Sequence, residues 1–177
     1  MNPLNNILGQ ETAKKIILNS FNQNRIASTY LFYGNDGTGK WITAINLAAL
    51  MNCEQPIKHE DGSVVSACGL CHNCRQIFNL TFPDIFFGLP LPPHRKEEEM
   101  IALQNDFLEQ KRAEPYKIIR SDRPLTIPIN TARDIIKRTS MKPSAGTTRI
   151  IFFYQMEKML TASADALLKL IEEPPPE

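Results

Sequence analysis

The chain has 177 residues, of which 42% are apolar and 22% charged, so it is long enough to bury one substantial core and has an ordinary globular composition. A net charge of about +1 excludes the broad basic field that would by itself announce a nucleic-acid or membrane surface. MNPLNNILGQ has neither a basic region nor a continuous apolar stretch, which excludes a secretory signal, and no apolar run approaches the ~18 residues of a membrane helix. A cytoplasmic protein is expected, with its four cysteines reduced or bound to metal rather than paired in disulfides.

The first element is ETAKKIILNSFNQNRI (11–26), where Ala13, Ile16, Ile17 and Phe21 recur at helical spacing. TYLFY (29–33) follows as a short β-rich run that stops at Gly34. After Lys40, ITAINLAALMN returns to helix with Ile42, Ile45 and Ala49 on one face. Between them lies GNDGTGKWI (34–42). Strand, glycine loop and helix form the context of a phosphate-binding loop, whose pattern is Gly, four residues, Gly-Lys and then Ser or Thr.

A cysteine-rich stretch interrupts the chain from 53 to 74, and DIFF (84–87) then reads as a second strand. Residues 88–125 open with GLPLPPHRKEEE, rich in proline and charge and without a clean period. They are expected to form a surface excursion, partly mobile, with a short helix from Met100 to Lys111. TARDIIKRT (131–139) is a helix with Ala132, Ile135 and Ile136 inward. RIIFFY (149–154) has the unbroken apolar character of a strand buried on both faces. TASADALLKLIEE (161–173) aligns Ala164, Leu167, Leu168 and Ile171, with Thr161 as N-cap and Pro174, Pro175 and Pro176 as the stop. Alternating strands and helices predict an α/β fold with a parallel, doubly wound sheet.

Cys68, Cys71 and Cys74 form CGLCHNC, and Cys53 lies upstream. Tight turns of this spacing aim their sulfurs at one point. Four thiolates complete a closed tetrahedron around zinc, with no open position for catalysis, so the site reads as structural. A redox pair is the weaker reading because a third cysteine repeats the spacing. His72 lies inside the knuckle and is expected to face solvent, as are His59 and His94 in polar loops.

In a working phosphate loop the backbone N–H groups and the following helix cradle the phosphates, the lysine reaches them, and a Ser or Thr hydroxyl holds Mg²⁺. Gly34, Gly37, Thr38, Gly39 and Lys40 supply the first two parts. Trp41 stands at the hydroxyl position, and its indole has no oxygen. Hydrolysis also needs an Asp and a Glu at a strand tip, where RIIFFY ends in Tyr154 and Gln155, with Glu157 further along. Three parts of the hydrolytic apparatus are absent together, so the loop is not expected to drive hydrolysis. Two readings stay open: a loop that still holds triphosphate, and a glycine turn that only keeps its shape.

Taken together, these motifs resemble bacterial DNA polymerase III clamp-loader subunits. NILGQETAKKIILNSFNQNRIASTYLFYGNDGTGK is similar to their opening, and CGLCHNC to their zinc module after the Walker A helix. FPDIF resembles a His-Pro-Asp stretch with Phe82 at the histidine, and ADALLKLIEEPPP a helix signature with Asp165 at an asparagine. The likeness covers most of the chain apart from roughly 88–125. It implies an AAA+ fold, here an incomplete P-loop NTPase-like parallel sheet flanked by helices with a small zinc-binding insertion. Residues 1–177 would be the N-terminal part of the first AAA+ domain, 53–74 the inserted zinc module and 88–125 a surface insertion.

Trp41, Tyr154 and Gln155 depart from the ATP-hydrolysing gamma/tau type and fit the degenerate delta-prime type. The resemblance therefore implies a subunit without ATPase activity of its own, within the polymerase III holoenzyme, a nucleotidyltransferase complex. Its implied partners are the gamma/tau and delta subunits and, through the complex, primed DNA and the sliding clamp during replication. Zinc is the implied structural cofactor. A gamma/tau-like motor is the alternative. The resemblance also implies that a sheet strand between the two Walker strands is missing, leaving edges through which the chain is expected to self-associate. In a third reading the knuckle and Arg133, Lys137, Arg138 and Lys142 contact DNA, although such a charge run is usually a solvated face.

Overall fold

The computed structural model describes residues 4, 7–93, 96–139 and 147–172, and its chain divides into two compact units. His94, Lys142 and Pro174 to Pro176 lie outside the described residues.

The first unit comprises residues 1–82 and Glu114–Ile118. Helix α1 (Glu11–Asn22) buries Ile17 and half-buries Ala13, Leu18 and Phe21. Ile16, expected on the inner face, is 59% exposed, and Leu18, on the other side of Ile17, packs against the core instead. Helix α2 (Lys40–Met51) buries Ile45 and Ala49 as expected, but also Trp41, Thr43, Leu47, Ala48 and Leu50, so it is enclosed on nearly every side. Ile17, Leu47, Leu50 and Val64 make the core of this unit.

TYLFY does not form a strand. Tyr30 and Phe32 turn inward against that core and stack on each other at 6.3 Å, while Leu31 and Tyr33 are 72% and 88% exposed. The side chains alternate as in a strand, but a strand needs a ladder, and no described residue provides one for residues 29–33. The cysteine stretch instead contains an antiparallel pair, β1 (Ile57–Lys58) and β2 (Val64–Ser66), followed by helix α3 (His72–Phe78). The pair is too short to stand alone. Asn22, at the end of α1, fixes it: its side-chain amide donates to the Val64 carbonyl at 2.9 Å and accepts the Val64 N–H at 2.7 Å.

The second unit comprises residues 83–113 and 119–177. Strands β3 (Ile85–Gly88) and β4 (Ile150–Phe153) pair in parallel, Ile85 opposite Ile150 and Gly88 opposite Phe153. They make a two-stranded sheet rather than the doubly wound one expected, among the described residues. All four residues of β4 are half-buried, not enclosed on both faces, and among the described residues the strand pairs with β3 alone. Gly88 is required by packing: a Cβ there would overlap the Phe153 ring.

Leu89, Pro90 and Leu91 are buried, and helix α4 runs from Glu97 to Ala113, longer at both ends than expected. Three glutamates in its first turn and Lys111 and Arg112 in its last complement the helix dipole. Helix α5 (Ile129–Thr139) buries Ala132 and Ile135 and packs on α6 (Thr161–Glu172). Thr161 is the first helical residue of α6 rather than its cap. Leu167 is buried, but Leu168 is 51% exposed, and Ser163 enters the interior by donating to the Ile127 carbonyl at 3.0 Å.

Candidate functional site

The glycine loop belongs to the first unit. Gly34, Gly37 and Gly39 take positive φ values of 137, 77 and 87°, a backbone that other residues adopt only under strain. Gly39 precedes α2, so the loop adjoins the N-terminal end of that helix. Lys40 Nζ donates to the carbonyls of Gly34 at 2.8 Å and Asn35 at 2.7 Å and makes no ion pair among the described residues. The loop therefore folds around an ammonium group that no carboxylate of the described residues pairs with.

Trp41 stands where the phosphate-loop pattern has its Ser or Thr. Trp41 is only 8% exposed, with its indole in the core. The hydroxyls of Thr38 and Thr43 are both turned onto backbone: Thr38 Oγ1 donates to Asn35 O and Thr43 Oγ1 to Gly39 O, each at 2.9 Å. The structure thus gathers Gly34, Gly37, Thr38, Gly39 and Lys40 into one turn, followed by a buried indole in place of a hydroxyl.

In the second unit, the tip of β4 is covered. The Tyr154 ring meets Phe107 of α4 edge-on at 5.2 Å, and Lys111 Nζ lies 4.6 Å from the ring centre. Lys111 is 3% exposed, and a cation held over an aromatic face is worth about 2 kcal/mol when desolvated. Gln155 follows at φ 53° with its amide oxygen buried and without a partner. Glu157, the nearest following carboxylate in the chain, sits exposed on a one-turn 3-10 helix, Met156–Lys158. No acid occupies the strand tip itself.

The four cysteines converge. The sulfurs of Cys53, Cys68, Cys71 and Cys74 all lie within 4.8 Å of one another, and those of Cys68 and Cys74 are 3.9 Å apart. A tetrahedron of zinc–thiolate bonds has S···S edges of about 3.8 Å, so the donor set has the right size for such an ion. Backbone N–H groups point at the sulfurs: Cys68 at Cys53 (3.2 Å), Leu70 and Cys71 at Cys68 (3.4 and 3.3 Å), and Cys74 at Cys71 (3.5 Å). Burial pushes the Cys68 thiol up, but these N–H donors and the neighbouring thiols outweigh it, and the group falls from 9.0 to about 6. Burial pushes Cys53 and Cys74 up, and Cys71 raises Cys74 further. Four thiols with one stabilised as thiolate can capture a soft or borderline cation, expelling protons from the rest. His72 is exposed at the start of α3, and His59 is exposed in the hairpin loop, as expected of both.

Among the basic residues, Arg133, Lys137 and Arg138 are exposed on α5, and Arg138 pairs with Asp134 at 2.9 Å. Their placement is that of a solvated face. Sequence reasoning missed Tyr116, whose hydroxyl accepts the Leu8 N–H at 3.1 Å and whose ring lies on Gly39. The one available hint was an aromatic after Pro115 in an otherwise charged stretch.

A glycine-lysine loop before a helix, with a small parallel sheet flanked by helices, defines a mixed α/β protein consistent with an AAA+-like domain. The profile of the family described as "DNA polymerase III, delta subunit" matches residues 9–177. The chain belongs to that family. It is 26% identical over 169 residues to DNA polymerase III subunit tau of Escherichia coli (strain K12), covering 96% of this chain and 20% of that protein. It is 27% identical over 154 residues to DNA polymerase III subunit delta' of Bacillus subtilis (strain 168), covering 85% of this chain and 44% of the relative. With the delta' subunit of Pseudomonas aeruginosa it shares 29% over 148 residues, covering 84% and 34% respectively. The chain thus spans less than half the length of each of these relatives. Among the described residues no helix is long and apolar enough to cross a membrane.

Proposed function

We propose that the chain acts as a non-catalytic, delta-prime-type part of a DNA polymerase III clamp loader, working in the cytoplasm beside gamma/tau and delta subunits. Through that assembly it would help open the sliding clamp and place it on primed DNA. Residues 1–177 then belong to the first AAA+ domain, with 53–74 as an inserted zinc module and 88–125 as a further insertion. The observation that carries the reading is the pairing of Trp41 in the core with Tyr154 capped by Phe107 and Lys111. Both positions at which hydrolysis needs an oxygen ligand hold a packed aromatic ring instead. Gly34, Gly37, Thr38, Gly39 and Lys40 remain an anion cradle, vestigial for turnover. Phosphate release from MgATP tests this: none above buffer is expected, alone or with partner subunits present.

A gamma/tau-like motor is the second reading, favoured by the match to tau over 96% of the chain. It requires turnover that disappears in Lys40→Ala. We further infer that Cys53, Cys68, Cys71 and Cys74 hold one structural zinc ion, supported by the spacing of the sulfurs and the N–H groups aimed at them. Metal analysis of protein purified without chelator should give one zinc per chain, and substitution of Cys74 by Ser should lower that value.

A further inference from the structure

Tyr116 lies in the excursion after α4, yet Glu114–Ile118 forms part of the compact unit that contains the glycine loop. Its ring rests on Gly39: a Cβ at that position would come 3.1 Å from Cε1 and 3.6 Å from the hydroxyl oxygen. Its hydroxyl accepts the backbone N–H of Leu8 at 3.1 Å. Gly39 is buried, whereas the loop from Gly34 to Gly37 is exposed. The phenol therefore sits against the Gly39 backbone and is tied to the main chain at Leu8. A nucleotide with its phosphates on the amides of Gly37 to Lys40 must lay its sugar and base on the surface next to them. Part of that surface is already taken by the phenol.

We propose that Tyr116 is an intramolecular occupant of the base-binding face of the phosphate loop, so that a nucleoside diphosphate or triphosphate enters only by displacing residues 114–118. This rests on the reading of Gly34 to Lys40 as an anion cradle, and it says which part of a nucleotide is refused. The phosphates keep their anchor in Lys40, which has no ion pair among the described residues. The base finds its face covered. Trp41 and Tyr154 would then account for lost turnover, and Tyr116 for weak binding.

Calorimetric titration of inorganic pyrophosphate and of ADP, each into the full chain and its Tyr116→Ala, Tyr116→Phe and Lys40→Ala variants, separates the two ideas. Pyrophosphate probes the cradle without a base. Removing the ring should tighten ADP about tenfold, the change that 1.4 kcal/mol represents, and leave pyrophosphate unchanged. Tyr116→Phe keeps the ring and loses the Leu8 bond, so it should shift ADP in the same direction by less. It decides the matter if Tyr116→Ala does not keep its fold by circular dichroism. Unchanged ADP affinity in these variants, with pyrophosphate still bound, overturns the occupant and leaves the cradle standing. Weaker ADP binding without the ring overturns it too, making Tyr116 a stacking partner. Absence of any Lys40-dependent pyrophosphate binding removes the cradle, and the occupant with it.

Discussion

Trp41 and Gly88 show how single positions set what this chain can do. Trp41 replaces a hydroxyl with a large apolar surface that α2 buries, so reverting it trades packing for a ligand oxygen. Trp41→Thr should destabilise the protein by about 2–4 kcal/mol, as large-to-small core changes do, seen as a lower urea midpoint. It should also fail to release phosphate from MgATP, because Tyr154 and Gln155 still provide no acid at the strand tip. Gly88 faces the Phe153 ring across the ladder, and an added methyl has nowhere to go. Gly88→Ala should therefore cost about 1–3 kcal/mol by overpacking, in the same denaturation measurement.

At the level of elements, the cysteine module combines a sulfur cluster that could hold one metal ion with an anchoring asparagine. Without metal, half-buried Cys53 and buried Cys74 have raised thiol pKa values, so the proposed metal-bound state would be favoured as pH rises and lost as pH falls, when protons compete for the sulfurs. Chelator titrations at several pH values should show metal leaving more readily at lower pH. Asn22→Ala removes both bonds to Val64 and leaves its backbone groups to find other partners, which should cost about 1–3 kcal/mol. Local pattern revealed much of this level. The spacing of Cys68, Cys71 and Cys74 disclosed their convergence, and the periods of Ala132 with Ile135 and of Ala164 with Leu167 located α5 and α6. What depends on distant neighbours was not legible. TYLFY has strand composition but no ladder, Leu168 has core periodicity but no cover, and α4 lacks a clean period yet buries Phe107 and Lys111. Tyr116 was hidden for the same reason, since its partners are Leu8 and Gly39, far away in sequence.

For the whole molecule, the open backbone matters most. Residues 29–33 expose Leu31 and Tyr33 and have no ladder, and β4 is paired with β3 alone among the described residues. Such edges template pairing with another chain. Sedimentation at increasing concentration should therefore show association, and a monomer throughout would remove the edges as sticking points. Association and an absence of turnover would both fit the proposed role, a subunit that takes part by shape rather than by hydrolysis. The most direct test of that role is steady-state phosphate release from saturating MgATP, comparing the protein with Lys40→Ala. The two should be indistinguishable from buffer. Turnover that is present in the parent and absent in Lys40→Ala would contradict it.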